Sequence, residues 1–226
     1  MDHFNYRNGQ LYAEDVSVAE IAASVGTPFY VYSTATLVRH FQLFDEALDG
    51  MDHCICYAMK AASNQAILKT LGNLGAGMDV VSGGEYRRAL SAGIPPEKVV
   101  FSGVGKTLEE ITLALQNGIR QFNVESDSEL EQISAIASSM SKIAPIAIRI
   151  NPDVDAQTHE KIATGKAENK FGIPLSRARE VYSKASQMPG ISIVGIDLHI
   201  GSQLTDLDPF KKAYQKLADL TQVLRG

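Results

Sequence analysis

The feature that most constrains the fold is a unit that recurs six times along the chain. Each unit begins with a short β-branched run, continues through a turn of small or polar residues, and ends in a longer segment with helical periodicity. The predicted strands span residues 54–58, 78–81, 98–101, 119–124, 145–150 and 193–199. The helices predicted to follow them span residues 63–74, 84–92, 108–117, 126–140, 175–188 and 206–224. Alternating strands and helices indicate a parallel sheet with helices outside it.

Two architectures begin with this pattern, a doubly wound open sheet and a closed eight-fold barrel. The regular spacing of the units favours the barrel, and so do the polar or glycine residues that follow nearly every strand, since barrels draw functional residues from many strand ends. A barrel of eight strands typically takes ~250 residues, whereas this chain has 226 residues, six units and no closing strand in 221–226. Either the fold is not a barrel, or the chain is a fragment of a longer protein.

The first thirty residues depart from the repeating pattern. Turn signals and short apolar runs occupy residues 6–16, and a short helical pattern spans 18–25. An extended run, Phe29–Tyr32, then leads to a predicted helix over 34–48. We therefore treat residues 1–30 as a separate N-terminal segment and residues 31–226 as the repeating domain.

Composition excludes several classes of protein. Apolar residues make up 45% of the chain and charged residues 21%, which is typical of a folded globular protein and not of a disordered one. No run approaches the ~18 apolar residues of a membrane span, and the first ten residues do not resemble a secretory signal. The net charge is −5 without a basic stripe, which argues against nucleic acid as a partner. Only two cysteines occur, Cys54 and Cys56, in one predicted strand, so a reducing cytoplasm is the simplest setting.

Candidate reactive residues follow the first two predicted strands. Lys60 comes just after the first strand, where its amine could form a Schiff base with a carbonyl compound, although a solvated loop lysine is the commoner case. Asp79 and Glu85 flank a Ser-Gly-Gly turn after the second strand, where glycines permit close approach of a ligand. Glu85 also fits a capping box with Ser82, and the two roles are compatible.

Further candidates follow the later strands. Arg149 could bind a carboxylate or phosphate, or could close the barrel mouth with a salt bridge. His199 could transfer protons or stack on a flat ligand, and Ser202 could contact a phosphate. Residues 102–107 resemble part of a phosphate loop but lack the Walker A spacing, so we interpret them as a turn with a polar contact. His159 is a weaker candidate, and no cluster has metal-ligand spacing, so no metal site is predicted.

Several short motifs together resemble a known family. They occur in one order along the chain: YAMKA, GMDVVSGGE, NVES, RINPD, KFG and HIGSQ. The chain resembles the pyridoxal-phosphate-dependent decarboxylases of the alanine-racemase-like fold over roughly residues 26–203. Within that family it is most similar to the diaminopimelate decarboxylase branch, through NPDVDAQTH, TGKAENKFGI and LHIGSQ.

The resemblance implies a (β/α)8 TIM barrel of the alanine-racemase-like type, incomplete here at about six of eight units and without its C-terminal β-domain. Residues 1–30 would then pack on that missing β-domain. The implied cofactor is pyridoxal 5'-phosphate, held by Lys60, with His199 stacked on its ring. Asp79, Glu85 and Arg149 would lie around the cofactor, and Ser202 would contact its phosphate. Lys60 and His199 are the implied catalytic residues.

The implied reaction is decarboxylation of meso-2,6-diaminoheptanedioate to L-lysine, in a cytoplasmic homodimer acting on a small amino-acid substrate. The family's glycine-rich phosphate loop, the acidic partner of its pyridine nitrogen, its substrate-binding arginines and its catalytic cysteine and tyrosine would lie beyond the sixth strand. This chain alone is therefore expected to be inactive. Two alternatives stay open: a sister decarboxylase acting on ornithine, arginine or carboxynorspermidine, and a non-catalytic relative that binds a partner.

Overall fold

A small antiparallel sheet forms the start of the chain. The computed structural model describes residues 2–152, 154, 171–202 and 204–225. The Asn8-Gly9 turn has positive φ at both residues, 50° and 77°, as a two-residue hairpin requires. The sheet and the helix that follows it consist of β1 (Phe4–Arg7), β2 (Gln10–Ala13), β3 (Val16–Ser17) and α1 (Val18–Val25). The turns predicted in this segment thus connect short strands.

The extended run Phe29–Tyr32 is a connection and not a strand. It leads from α1 to α2 (Thr34–Ala47), whose N-cap Ser33 accepts a hydrogen bond from the Thr36 N–H at 3.0 Å. Tyr30 is 91% exposed. Because no strand of either sheet lies beside this run, its β-type residues have no ladder to join.

A second sheet of parallel strands builds the rest of the molecule. Its main path runs in chain order, each strand hydrogen-bonded to the one before it, and one short strand pairs with β8 outside this path. The strands are β4 (Cys56–Ala58), β5 (Gly77–Val80), β6 (Val99–Phe101), β7 (Gln121–Val124), β8 (Ala144–Asn151), the short β9 (Ile173–Pro174) and β10 (Ile191–Leu198).

Helices connect these strands. They are α3 (Gln65–Asn73), α4 (Gly83–Ser91), α5 (Leu108–Asn117), α6 (Asp127–Ser139), α7 (Ala178–Ser186) and α8 (Asp208–Arg225). A doubly wound sheet reverses its strand order at a switch point, but the order β4-β5-β6-β7-β8-β10 does not reverse. Right-handed crossovers in a single direction place every connecting helix on the same face. The chain therefore forms six strand–helix units of a parallel barrel, which confirms the predicted fold class.

The two faces of this sheet differ in chemistry. The outer face is apolar and buried under the helices, with Met78, Phe101 and Phe122 fully buried. Alternate positions on the same strands, such as Asp79 and Asn123, point inward. Barrel interiors are usually filled by branched apolar side chains. A polar interior leaves room for a ligand there.

The predicted elements match the observed ones to within about three residues at each end. β9 is too short to be seen in a sequence pattern, and a 3-10 turn at Leu175–Arg177 precedes α7 where a longer helix was expected. Among the described residues, no helix is both long enough and apolar enough to cross a bilayer.

Candidate active site

The carboxyl ends of the parallel strands surround a cavity of about 670 Å³. This volume lies within the range of small-molecule sites. Polar side chains from every strand of the main path, or from the loop after it, line the cavity. The polar and thiol-bearing residues are Cys54, Cys56, Lys60, Asp79, Ser102, Gln121, Asn123, Glu125, Arg149, Asp197, His199 and Tyr214.

Lys60 lies on the loop that follows β4, at the mouth of the cavity. The Met59 N–H donates to the Asp79 carbonyl at 3.0 Å, and the Ala61 N–H donates to the Ala58 carbonyl at 3.1 Å. These two bonds fix the turn on either side of Lys60, whose side chain stays exposed. An accessible amine at the carboxyl end of a barrel strand is suited to bind a carbonyl compound.

Asp79 faces the cavity from β5, beside Ala58 of β4 in the parallel register. Burial raises the pKa of its carboxyl group, while the Ser102 hydroxyl and the Lys60 charge act in the opposite direction. Its Oδ1 atom is buried and has no hydrogen-bond partner within the described parts of the chain. Buried polar atoms are nearly always satisfied, so this oxygen indicates a place for a ligand's donor group.

Arg149 and Glu125 form an ion pair across the ends of β8 and β7. The Arg149 Nη1 donates to the Glu125 Oε1 at 2.9 Å, and the Gly103 N–H donates to the same oxygen at 3.0 Å. The guanidinium also lies 5.9 Å from the centre of the Phe171 ring. Glu125 Oε2 is buried and has no partner in the described residues. Of the two interpretations left open by the sequence, the structure forms the salt bridge at the barrel mouth.

His199 and Asp197 enter the cavity two positions apart at the end of β10. Burial, together with the positive charges of Arg149 and Lys60, lowers the pKa of His199 to about 4. Burial raises the pKa of Asp197 to about 6, against the attraction of Arg149. At neutral pH the imidazole is therefore uncharged. A neutral ring at the cavity wall can stack on a flat ligand without bringing a second positive charge beside Lys60.

Two predicted site residues do not line the cavity. The Glu85 Oε2 accepts a hydrogen bond from the Val81 N–H at 2.8 Å, and the Glu85 N–H donates to the Ser82 Oγ at 3.2 Å. Ser82 is thus the N-cap of α4, while the Glu85 carboxylate reaches one residue further back than the predicted capping box. The charge of Glu85 still contributes to the raised pKa of Asp79. Ser202 is exposed after β10, outside the lining.

Lys106 belongs to the framework of the site. Its ammonium group donates to the Gly103 carbonyl at 2.7 Å, the Asn123 carbonyl at 2.8 Å and the Glu129 carboxylate at 2.5 Å. An ammonium group has three donors, and all three are used here. The other Glu129 oxygen accepts from the Glu125 N–H at 3.0 Å. The loop over residues 102–107, which resembles part of a phosphate loop, is therefore a turn held against β7 by Lys106. The sequence predicted a turn with a polar contact at this place.

Sequence reasoning did not single out several lining residues. Ser102, Asn123 and Asp197 were given no role in the site because single serine, asparagine and aspartate residues are common in strands and in the loops after them. The available signal was the strand period of two: Asn123 lies two residues before Glu125, and Asp197 lies two before His199.

Some predictions fall outside what the structure describes. His159 and residues 155–170 of the motif set lie there, and so do Asp153 and Gln203. In the ranges that are described, no group of three or more histidine, cysteine or acidic residues is arranged to hold a metal ion.

Comparison with known proteins agrees with this geometry. Residues 34–226 match the family model described as the pyridoxal-binding domain of pyridoxal-dependent decarboxylases. The matched domain places the chain in a cofactor-binding class of protein. The chain belongs to the pyridoxal-dependent decarboxylase family.

Comparison with individual proteins gives the degree of similarity to particular decarboxylases. The chain is 53% identical to the diaminopimelate decarboxylase of Haemophilus influenzae, over 100% of this chain and 54% of that protein. It is 46% identical to the Helicobacter pylori diaminopimelate decarboxylase whose crystal structure is complexed with L-lysine, with a TM-score of 0.88 over 91% of this chain and 52% of the other. A lysine decarboxylase from Selenomonas ruminantium, 23% identical with a TM-score of 0.82 over 96% of this chain and 53% of the other, shows the fold alone. The chain spans about half the length of the curated relatives it matches.

The cofactor of this family is pyridoxal 5'-phosphate, and the site residues fit it. The cavity presents an accessible amine at Lys60 and a neutral imidazole at His199. Asp79 Oδ1 and Glu125 Oε2 have no hydrogen-bond partner in the part of the chain that the structure describes, and a donor on a polar ligand would satisfy both acceptors. The amine, the flat aromatic side chain and the spare acceptors are the groups expected around an aromatic aldehyde with hydroxyl and ring-nitrogen groups.

Proposed function

We propose that the protein carrying this chain is a diaminopimelate decarboxylase, which converts meso-2,6-diaminoheptanedioate to L-lysine and CO₂. The observation that carries the proposal is the placement of Lys60 and His199 at one cavity mouth, in a chain about half identical to enzymes of that name. The sister activities are less well supported. The lysine decarboxylase structure is only 23% identical to this chain in sequence, and an arginine decarboxylase structure is 21% identical.

In this proposal four residues hold the cofactor. Lys60 binds its aldehyde carbon, and His199 stacks on its ring. Asp79 accepts a hydrogen bond through its spare oxygen, and Ser202 contacts the phosphate from the exposed loop after β10. Arg149 and Glu85 act from the surroundings, Arg149 by holding Glu125 and Glu85 by holding the turn beside Asp79.

When bound, the cofactor supplies an electron-withdrawing ring that stabilises the negative charge left when CO₂ departs. The chain's own residues provide the remaining chemistry. The Lys60 amine would hold the cofactor when no substrate is bound. The ring of His199, whose pKa burial lowers, would orient the cofactor. The Arg149–Glu125 pair keeps the inner wall rigid.

The proposal extends to the whole protein. Residues 1–30 would pack against a β-domain formed by the other half of the relatives' length. Support comes from exposed apolar side chains on and beside this segment, including Tyr6, Val25 and Tyr30. A homodimer, a small amino-acid substrate and a cytoplasmic location complete the proposal, following the family resemblance.

Borohydride reduction tests the proposal. The complete protein is incubated with pyridoxal 5'-phosphate, reduced with borohydride and mapped by peptide mass. We expect a single pyridoxyl adduct on Lys60, its loss in Lys60→Ala, and its retention in Lys69→Ala, since Lys69 is an exposed helix lysine. No adduct on Lys60 would favour the non-catalytic relative instead.

Product analysis then separates the decarboxylases. The protein is expected to release CO₂ and L-lysine from meso-2,6-diaminoheptanedioate. It should leave ornithine, arginine and carboxynorspermidine unchanged. An adduct on Lys60 combined with turnover of one of those three would keep the cofactor assignment and replace the substrate.

A further inference from the structure

Two thiols in the cavity wall take no part in the proposed reaction. Cys54 and Cys56 are half-buried free cysteines, and both line the cavity. Their Sγ atoms lie 3.9 Å apart. Because both residues line the cavity, both sulfurs face the interior of the barrel.

Packing fixes the position of the inner sulfur. Cys56 lies beside Gly77 of β5 in the parallel register. A Cβ atom at Gly77 would lie 2.8 Å from the Cys56 Sγ and 2.2 Å from the Lys98 carbonyl oxygen. The missing side chain of Gly77 therefore makes the space that the Cys56 sulfur occupies. The sulfur also lies 3.9 Å from the Lys98 carbonyl oxygen.

A disulfide between the two residues does not suit this backbone. Alternate residues of an extended strand are about 6.6 Å apart at Cα, close to the upper limit for a disulfide, about 6.8 Å. Between the two cysteines, the Ile55 carbonyl accepts the Gly77 N–H at 2.9 Å, which holds this stretch against β5. Two sulfurs bound to one trivalent arsenic atom lie somewhat closer together than the 3.9 Å seen here. Because both sulfurs face the same cavity, a small side-chain movement would let one atom bridge them.

We propose that Cys54 and Cys56 form a dithiol site that captures trivalent arsenicals, with the arsenic atom bridging the two sulfurs. With phenylarsine oxide, two As–S bonds form and the As–O bond breaks. The oxygen leaves as water with the two thiol protons, so no oxidant or reductant is needed.

The protonation of the inner thiol suits such a ligand. Burial and the neighbouring Cys54 raise the pKa of Cys56 to about 12. Because the thiolate is the nucleophile in alkylation, Cys56 is expected to react slowly with iodoacetamide at neutral pH. The product bridged by arsenic carries no thiolate charge, so burial does not disfavour it.

Occupation of this site would also affect the cofactor. The charge of Asp79 contributes to the raised pKa of Cys56, so the dithiol and Asp79 lie close together. This second statement rests on the proposed function, because it requires the cofactor to bind beside Asp79. Capture of the arsenical by the two cysteines does not depend on the proposed function.

The test uses the complete protein freed of cofactor, with phenylarsine oxide as the probe. Intact mass and peptide mapping are expected to find one arsenical bound to the peptide that contains both cysteines, and released by dimercaptopropanol. Cys54→Ser and Cys56→Ser should each weaken binding by about a hundredfold or more, since a chelate becomes a single bond. Unchanged circular dichroism and melting temperature show that the variants fold.

Four results decide the matter. Equal binding by either serine variant and the unchanged protein overturns the dithiol site, and so does an adduct mapped to other residues. Protection by pyridoxal 5'-phosphate supports the shared cavity. Equal binding with and without the cofactor overturns the shared cavity but leaves the dithiol site supported, and the borohydride adduct on Lys60 reports separately on the cofactor.

Discussion

At the scale of single residues, Asp197 and His199 carry opposite pH dependences on one strand. The folded pKa of Asp197 is about 6 against an ordinary value of 3.8, so the folded chain binds more protons than the unfolded chain between these values. Its contribution favours folding as the pH falls from 6 to 4. The folded pKa of His199 is about 4 against 6.5, so the folded chain binds fewer protons there, and stability is lost as the pH falls through that window.

These opposite signs give a testable pair of variants. Asp197→Asn is expected to make the cofactor-free protein lose stability more steeply on acidification from pH 6.5 to 4, by on the order of 2 kcal/mol. His199→Gln should make the loss shallower. Urea unfolding at a series of pH values measures both slopes. If the free energy of unfolding depended on pH equally in both variants and in the unchanged protein, neither group would titrate as its surroundings require.

Lys106 should matter for stability more than any exposed lysine. Lys106→Met leaves the nearly buried Glu129 carboxylate without its ion-pair partner, which typically costs about 3–5 kcal/mol. Adding Glu129→Leu should restore part of that loss, because no unpaired charge then stays buried. Urea midpoints measure each change, with Lys69→Met as the exposed control, expected within about 0.5 kcal/mol. A double variant no more stable than the single one would contradict this account.

At the scale of elements, β5 depends on a glycine. A Cβ at Gly77 would lie 2.2 Å from the Lys98 carbonyl oxygen, which is backbone and cannot move aside cheaply. Gly77→Ala should therefore destabilise the chain by about 1–3 kcal/mol. Gly84→Ala in α4 is the matched control, since its Cβ would meet only Ser82 Oγ, at 3.7 Å. Thermal unfolding distinguishes the two, and equal melting temperatures would show that β5 shifts to accommodate the methyl group.

Elements were predictable from the sequence where one local pattern determines them. α5 has its predicted bounds because Thr107 and Glu110 close a capping box and Gly118 ends the helix in the left-handed region. β10 begins two residues before its predicted start because Ile191 and Ser192 pair with Ala144 and Pro145 of β8. Phe29–Tyr32 was predicted only as an extended run, and within the described residues it pairs with no strand.

For the site, the positions of the residues along the barrel could be predicted, but their contacts could not. Strand ends fix where a side chain lies along the barrel, so Lys60, Asp79, Arg149 and His199 were placed at one mouth correctly. Contacts between distant segments cannot be inferred from local pattern. The use of the Glu85 carboxylate on the Val81 N–H and the full commitment of Lys106 to Gly103, Asn123 and Glu129 depend on the folded geometry.

At the scale of the whole molecule, a polypeptide of residues 1–226 alone is expected to have no measurable decarboxylase activity. The chain spans about half of its curated relatives, and the resemblance places the phosphate loop and substrate-binding residues beyond the sixth strand. Release of CO₂ from meso-2,6-diaminoheptanedioate, measured for this polypeptide and for the complete protein at equal concentration, checks the expectation. Turnover by the shorter polypeptide would refute it.

The unreversed strand order also has a consequence for biosynthesis. Each strand of the main path pairs with the strand made before it, so a ribosome delivers the strands in the order in which they join the sheet. Along these six strands a nascent chain can add one strand and one helix at a time, so no pairing within this path waits for a later segment. The wall that carries Lys60 is then built first, and the strand that precedes His199 is added to it last among the six.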